Sequence, residues 1–205
     1  MHSFPAFASV FFSLLCWCAT GNLSAQTTAP RKEQPCQLAA DEFDEFDSLH
    51  TIASKPVDMG YFIPSLFETA DGPKMIGEAK AMVTFTQNDS IDCFFLNLIL
   101  PEYKLQTIAQ GFNVMAILDD TTVVGFLNFP DEGFFDKSIL MRTYQHSCVV
   151  PLDLYYRLAH QKITKIRVEY ARHRRTIALS EEQQTALRRA FQCVGKAAGL
   201  YPIKP

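Results

Sequence analysis

Ile91-Asp92-Cys93-Phe94-Phe95-Leu96-Asn97-Leu98-Ile99-Leu100 is apolar on both of its faces. In an extended chain alternate side chains share a face. Ile91, Cys93, Phe95 and Ile99 therefore lie on one side, and Phe94, Leu96, Leu98 and Leu100 on the other. A strand apolar on both faces is covered on both. The segment predicts a central strand, ended by Pro101.

Working outward, Met75–Thr86 closes with Ala81-Met82-Val83-Thr84-Phe85-Thr86, whose alternation predicts a half-buried strand. Asn88-Asp89-Ser90 supplies a turn. Downstream, Phe112–Leu118 and Val123–Phe129 flank Asp119-Asp120-Thr121-Thr122 as a hairpin, and Ile139–Val150 reads as another strand. The last third changes character. Pro151 opens a helix in which Leu152, Tyr155 and Leu158 share a face. In Ile163–Tyr170 the residues Ile166, Val168 and Tyr170 point one way, Lys165, Arg167 and Glu169 the other. Ala171–Arg175 turns the chain and Thr176–Leu179 returns as a short partner strand. Ser180-Glu181-Glu182-Gln183 forms a capping box, with two acids at the positive end of the helix dipole. That helix runs to about Ala198, with Gly199 as its stop. Leu187, Phe191, Val194 and Ala198 make a core stripe beside a strip of small side chains, Ala186, Ala190, Cys193 and Ala197. The expected class is α+β, a mostly antiparallel sheet closed by a C-terminal capped helix.

The order of helix, Ile-Thr-Lys-Ile-Arg-Val strand, hairpin and capped helix ending in Cys resembles uncharacterised exported α+β proteins of Gram-negative gut bacteria. The resemblance covers roughly the last third of the chain and the Asp-Glu-Phe-Asp segment. That group carries no established activity, so the resemblance implies a compartment and not a chemistry.

The start of the chain points to the same compartment. Phe4–Thr20 has no charged residue, Gly21-Asn22 breaks it, and Leu23-Ser24-Ala25 precedes Gln26. This is a signal-peptide pattern, and the apolar run is short for a membrane span. It departs from the usual form in having no Lys or Arg before the run. Cys16 and Cys18 follow Leu15 and Trp17, which argues against lipid attachment. We expect residues 1–25 to be a signal peptide, 26–35 a flexible leader and 36–205 a single domain. The expected location is periplasmic or secreted, with no transmembrane segment in the mature chain. Residues 1–25 contain no Asp, Glu, Lys or Arg, so the net charge stays at −3 without them. A mildly acidic chain whose only Lys/Arg cluster is Arg172–Arg175 lacks the basic footprint of a nucleic-acid binder.

Cys36, Cys93, Cys148 and Cys193 follow the leader. An even number of exported cysteines suggests bridges, with every pairing open; burial as small apolar side chains is the alternative. His146-Ser147-Cys148 places an imidazole and a thiol on one strand face, but no third group orients them. No catalytic residue is assigned. Asp41, Glu42, Asp44, Glu45 and Asp47 interleave with Phe43 and Phe46. Without a central Gly they do not form a Ca²⁺ loop, and they read as an exposed turn with both aromatics tucked inward. Asp119-Asp120 reads as turn chemistry. His50, His146, His160 and His173 lack zinc-ligand spacing, so no metal or cofactor is expected. Arg172-His173-Arg174-Arg175 reads as a solvated hairpin tip. Phe134 and Phe135 are the binding candidates, either a plug over the core or an exposed anchor for a partner.

The function expected is a non-enzymatic binding or interaction module for an unknown protein or small-molecule ligand. The alternatives are a small extracytoplasmic hydrolase using His146 or the Asp119 pair, and a structural subunit of an envelope assembly.

Overall fold

Two-residue alternation of apolar side chains dominates the chain, and the fold that results is a sheet. A computed structural model describes residues 37–62, 68–69, 72–73, 77–90, 92–138 and 140–200. The expected signal peptide, the leader and Cys36 lie outside them. The strands in chain order are β1 (Leu38–Asp44), β2 (Leu49–Ser54), β3 (Val57–Phe62), β4 (Glu68–Thr69), β5 (Gly72–Pro73), β6 (Gly77–Gln87), β7 (Asp92–Glu102), β8 (Gly111–Leu118), β9 (Val123–Pro130), β10 (Phe134–Asp136) and β11 (Met141–Val150). Helix α1 (Leu152–His160), β12 (Ile163–Glu169), β13 (Arg174–Ala178) and helix α2 (Glu181–Ala197) follow.

The main sheet has the order β1-β2-β6-β7-β11-β9-β8-β12-β13, with β3 beside β6 and β10 beside β11, while β4 and β5 pair separately. Every pairing is antiparallel. β2 and β3 run along the same edge of β6, at Ile52–Phe85 and Val57–Ala81, with Lys55-Pro56 between them. β9 and β10 do the same along β11, at Asn128–Cys148 and Phe134–Thr143. There the Asp131 carboxylate bridges the break, accepting from the N–H of Gly133 and of Gln145.

The hairpin at Asp119–Thr122, the central position of β7 and the strand–helix order of the last third all form as expected. The class needs correcting. The protein is sheet-dominated with two helices, and the sheet is not closed, because β1 and β13 each have one neighbour among the described residues. The reason is the seating of α2. It packs on β2, β3 and β6 near one end of the sheet and on β12 near the other. A helix roughly 10 Å across holds those ends apart. The inward residues of β2, β3, β6, β7, β8, β9, β11, β12 and β13 form the core with the helices, from Ala79, Val83 and Phe85 on β6 to Leu187, Phe191 and Val194 on α2.

β7 also extends beyond its expected end, through Pro101 to Glu102. Its ladder with β6 ends at Ile99–Lys80. The missing N–H of Pro101 therefore costs no bond on that side. Phe43 and Phe46 do not tuck inward; they are 61% and 97% exposed, Phe43 on the edge strand β1 and Phe46 in the turn that follows it.

The α2 cap is complete. Ser180 Oγ accepts from the Gln183 N–H at 3.3 Å, and Gln183 Oε1 accepts from the Ser180 N–H at 2.8 Å. At the other end Gly199 has φ +75°, and the Leu200 N–H reaches the Gly195 carbonyl at 2.8 Å. On α1, Tyr155 and Leu158 are buried while Leu152 is half exposed. The Tyr155 ring stacks on Phe94 at 4.0 Å, and its hydroxyl fills the space a Cβ on Gly195 would need. No helix of the described residues is long and apolar enough to cross a membrane.

Cys93 and Cys148 are free thiols, which corrects their place among the bridge candidates. Each sits in a ladder opposite Thr86 and Leu96 respectively, with no cysteine across from it. Cys193 is not among the free thiols.

Candidate functional site

The inward phase of β7, carried by Phe94, Leu96, Leu98 and Leu100, continues to Glu102. The inward phase of β13, carried by Ile177, continues back to Arg175. The two side chains meet. Arg175 donates from Nε at 2.9 Å and from Nη2 at 2.7 Å to the two carboxylate oxygens of Glu102. Glu102 is 1% exposed. The Phe62 ring covers the guanidinium at 4.7 Å. A bidentate pair of this kind is short, strong and geometrically fixed, and the bond to Glu102 raises the Arg175 pKa further.

Beside the pair runs a row of buried polar groups. The Asn128 amide lies 3.3 Å from His146 Nδ1 and donates to Asn113 Oδ1 at 2.8 Å. His146 Nε2 lies 3.4 Å from the Tyr170 hydroxyl. With Asn128 Nδ2 as donor, Nδ1 accepts and Nε2 carries the proton. Burial pushes the His146 pKa down to about 4, the charge of Asp131 opposing it. Burial also pushes the Cys148 thiol up to about 12 and raises the Tyr170 hydroxyl, with Glu102 adding to the effect. His146 and Cys148 do share a face, as expected, and both are fully buried. A thiol held protonated is a poor nucleophile.

Residues 103–110 connect β7 to β8, which are not neighbours in the sheet. This strap is pinned by hydrogen bonds along its length, among them one from the Asn113 side-chain amide to the Ala109 carbonyl. The Tyr144 hydroxyl accepts from the Gln106 N–H at 2.8 Å and donates to the Gln106 carbonyl at 3.2 Å. The Ala171 N–H donates to the Thr107 carbonyl at 2.9 Å. Between the strap, the β12–β13 turn and Phe62 lies a cleft of about 930 Å³ with Glu102 and Arg175 in its lining. Lys104 and Arg172 are exposed in its walls. His173 stacks on Tyr170 at 6.0 Å, and its Nε2 is buried without a hydrogen-bond partner among the described residues. Leu105, in the strap, is 76% exposed.

The other candidates fall elsewhere. Phe134 and Phe135 are 72% and 42% exposed and do not line the cleft. They do not plug the core, because the Tyr144 ring already fills the space under Gly133. Asp119 and Asp120 are exposed in the β8–β9 turn. Asp120 accepts from the Thr122 N–H and from the Gln161 amide, and the first bond lowers its pKa. Among the described residues no group of three His, Cys, Asp or Glu is placed to hold a metal ion.

Glu102 was not singled out in the sequence, Arg175 was read as part of a solvated hairpin tip but is paired inward, and Lys104 and the Tyr144–Gln106 pin were not singled out either. The signal for the first two was present: each continues the two-residue phase of an apolar row, so each was due to point inward. No protein family model matches the chain, and no curated protein or solved structure matches it either.

Proposed function

We propose that the protein is a non-enzymatic binding module, exported to the periplasm or the exterior, whose ligand sits in the cleft under the 103–110 strap. One observation carries the reading. The cleft has a fixed floor, the Glu102–Arg175 pair, and a wall with a buried, unpartnered His173 Nε2. A concave site with a few converging polar groups is the usual form of a ligand pocket. An unpaired buried nitrogen is costly until something bonds to it. The hydrolase alternative has no such support, since His146 lies in packed core and the Asp119 pair in an exposed turn. Export is supported by the pattern of residues 1–25 and by the resemblance to exported proteins of Gram-negative gut bacteria.

Amide NMR of the labelled protein against a small-molecule fragment library tests the site. Shift changes should cluster at residues 103–107 and 171–175. Changes scattered over the surface, or none across the library, would overturn the assignment.

A further inference from the structure

We infer that the cleft takes an anionic amphiphile, a carboxylate carried on an apolar body; this rests on the cleft being the ligand site. The charge of the lining runs against that of the chain. The protein has a net charge of −3, yet among the described residues the cleft is lined by Lys104, Arg172 and Arg175 against Glu102 as the only carboxylate. Glu102 is bound to Arg175 through both oxygens. That leaves Lys104 and Arg172 as cations with no ion pair among the described residues; Lys104 rests over the Tyr103 ring at 5.3 Å. His173 Nε2, buried and unpartnered, lies in the same wall. Two uncompensated cations in one cleft form a receptor for a carboxylate, whose oxygens only accept.

Beside the polar Gln106 and Thr107, the lining carries apolar side chains that suit the body of such a ligand. Leu105 is 76% exposed beside Lys104, with Tyr103, Phe62 and Met141 further in. A large exposed aliphatic side chain next to an unpaired cation presents an apolar surface and a charge side by side. A cation-bearing amphiphile would instead meet two like charges, at a cost that rises as water is displaced.

The test is displacement of 8-anilinonaphthalene-1-sulfonate from the purified protein by decanoate and by decyltrimethylammonium. Decanoate should bind about tenfold more tightly than the cation of equal chain length. Lys104→Gln and Arg172→Gln should each weaken decanoate roughly two- to fivefold without moving the melting temperature, since both side chains are exposed. Leu105→Ser should weaken both probes. Equal affinity for the two probes, both weakened by Leu105→Ser, would overturn the anion inference and leave the cleft as the binding site. No binding, or binding unmoved by Leu105→Ser, would overturn the cleft assignment and this inference with it.

Discussion

Glu102 and Arg175 lie 73 residues apart and meet because two apolar rows each end in a charge. Their exposures differ: the Glu102 side chain is 1% exposed and that of Arg175 24%. Removing one partner of a buried pair leaves the other charge stranded, at a cost of about 3–5 kcal/mol. Arg175→Met, which strands the more buried group, should be the more destabilising single change in urea melts. Glu102→Met should cost less, because the guanidinium keeps its contact with solvent. The double variant Glu102→Met/Arg175→Met should be more stable than Arg175→Met alone. A double variant as unstable as the sum of the singles would show that the stranded carboxylate is not the cause. The sequence holds the phase that turns both residues inward. It does not hold the partner, since nothing local to residue 102 identifies residue 175. Gly195 is a similar case: its need for a missing Cβ depends on the Tyr155 hydroxyl of another helix.

Among elements, α2 was the most legible, because a cap is a local interaction within four residues and its stripe repeats at helical spacing. Ser180→Ala should cost about 1 kcal/mol and Phe191→Ala about 3–5 kcal/mol, as Phe191 is fully buried. Denaturant melts of the two variants check the order, and a milder Phe191→Ala would mean that the stripe is not the packed face. The inner strands were legible for the same kind of reason: one covered face imposes alternation. β1 was not, because an edge strand exposed along most of its length imposes little alternation. It is charged instead, as exposed edges commonly are, and so it read as a turn. The breaks at Lys55-Pro56 and Asp131–Gly133 hid β3 and β10 in the same way.

At the scale of the whole molecule, strand order was beyond local signals, since β7 lies between β6 and β11 and only the first is its neighbour in the chain. The charge of the cleft lining was equally hidden, because Phe62, Lys104 and Arg172 come from separate segments. Global stability should carry the mark of His146. Its ordinary pKa of 6.5 falls to about 4 in the fold, so between those values the unfolded chain binds a proton that the folded one does not. The contribution is therefore present above pH 6.5 and is lost as pH falls toward 4. Between pH 7 and pH 5 the loss should be about 2 kcal/mol. His146→Gln should flatten that slope in urea melts at the two pH values; an unchanged slope would mean that other groups set it. The seating of α2 on β2, β3, β6 and β12 has a consequence in time. Every strand of the main sheet precedes it in the chain. During synthesis, the inward row of β6 lacks its α2 cover until residues 187–194 exist, while Phe94 on β7 meets the earlier Tyr155. Contacts this distant in sequence close slowly, and a bare apolar sheet sticks to other chains. The protein therefore passes its most adhesive stage when nearly complete, and a stop before Ser180 leaves that stage permanent.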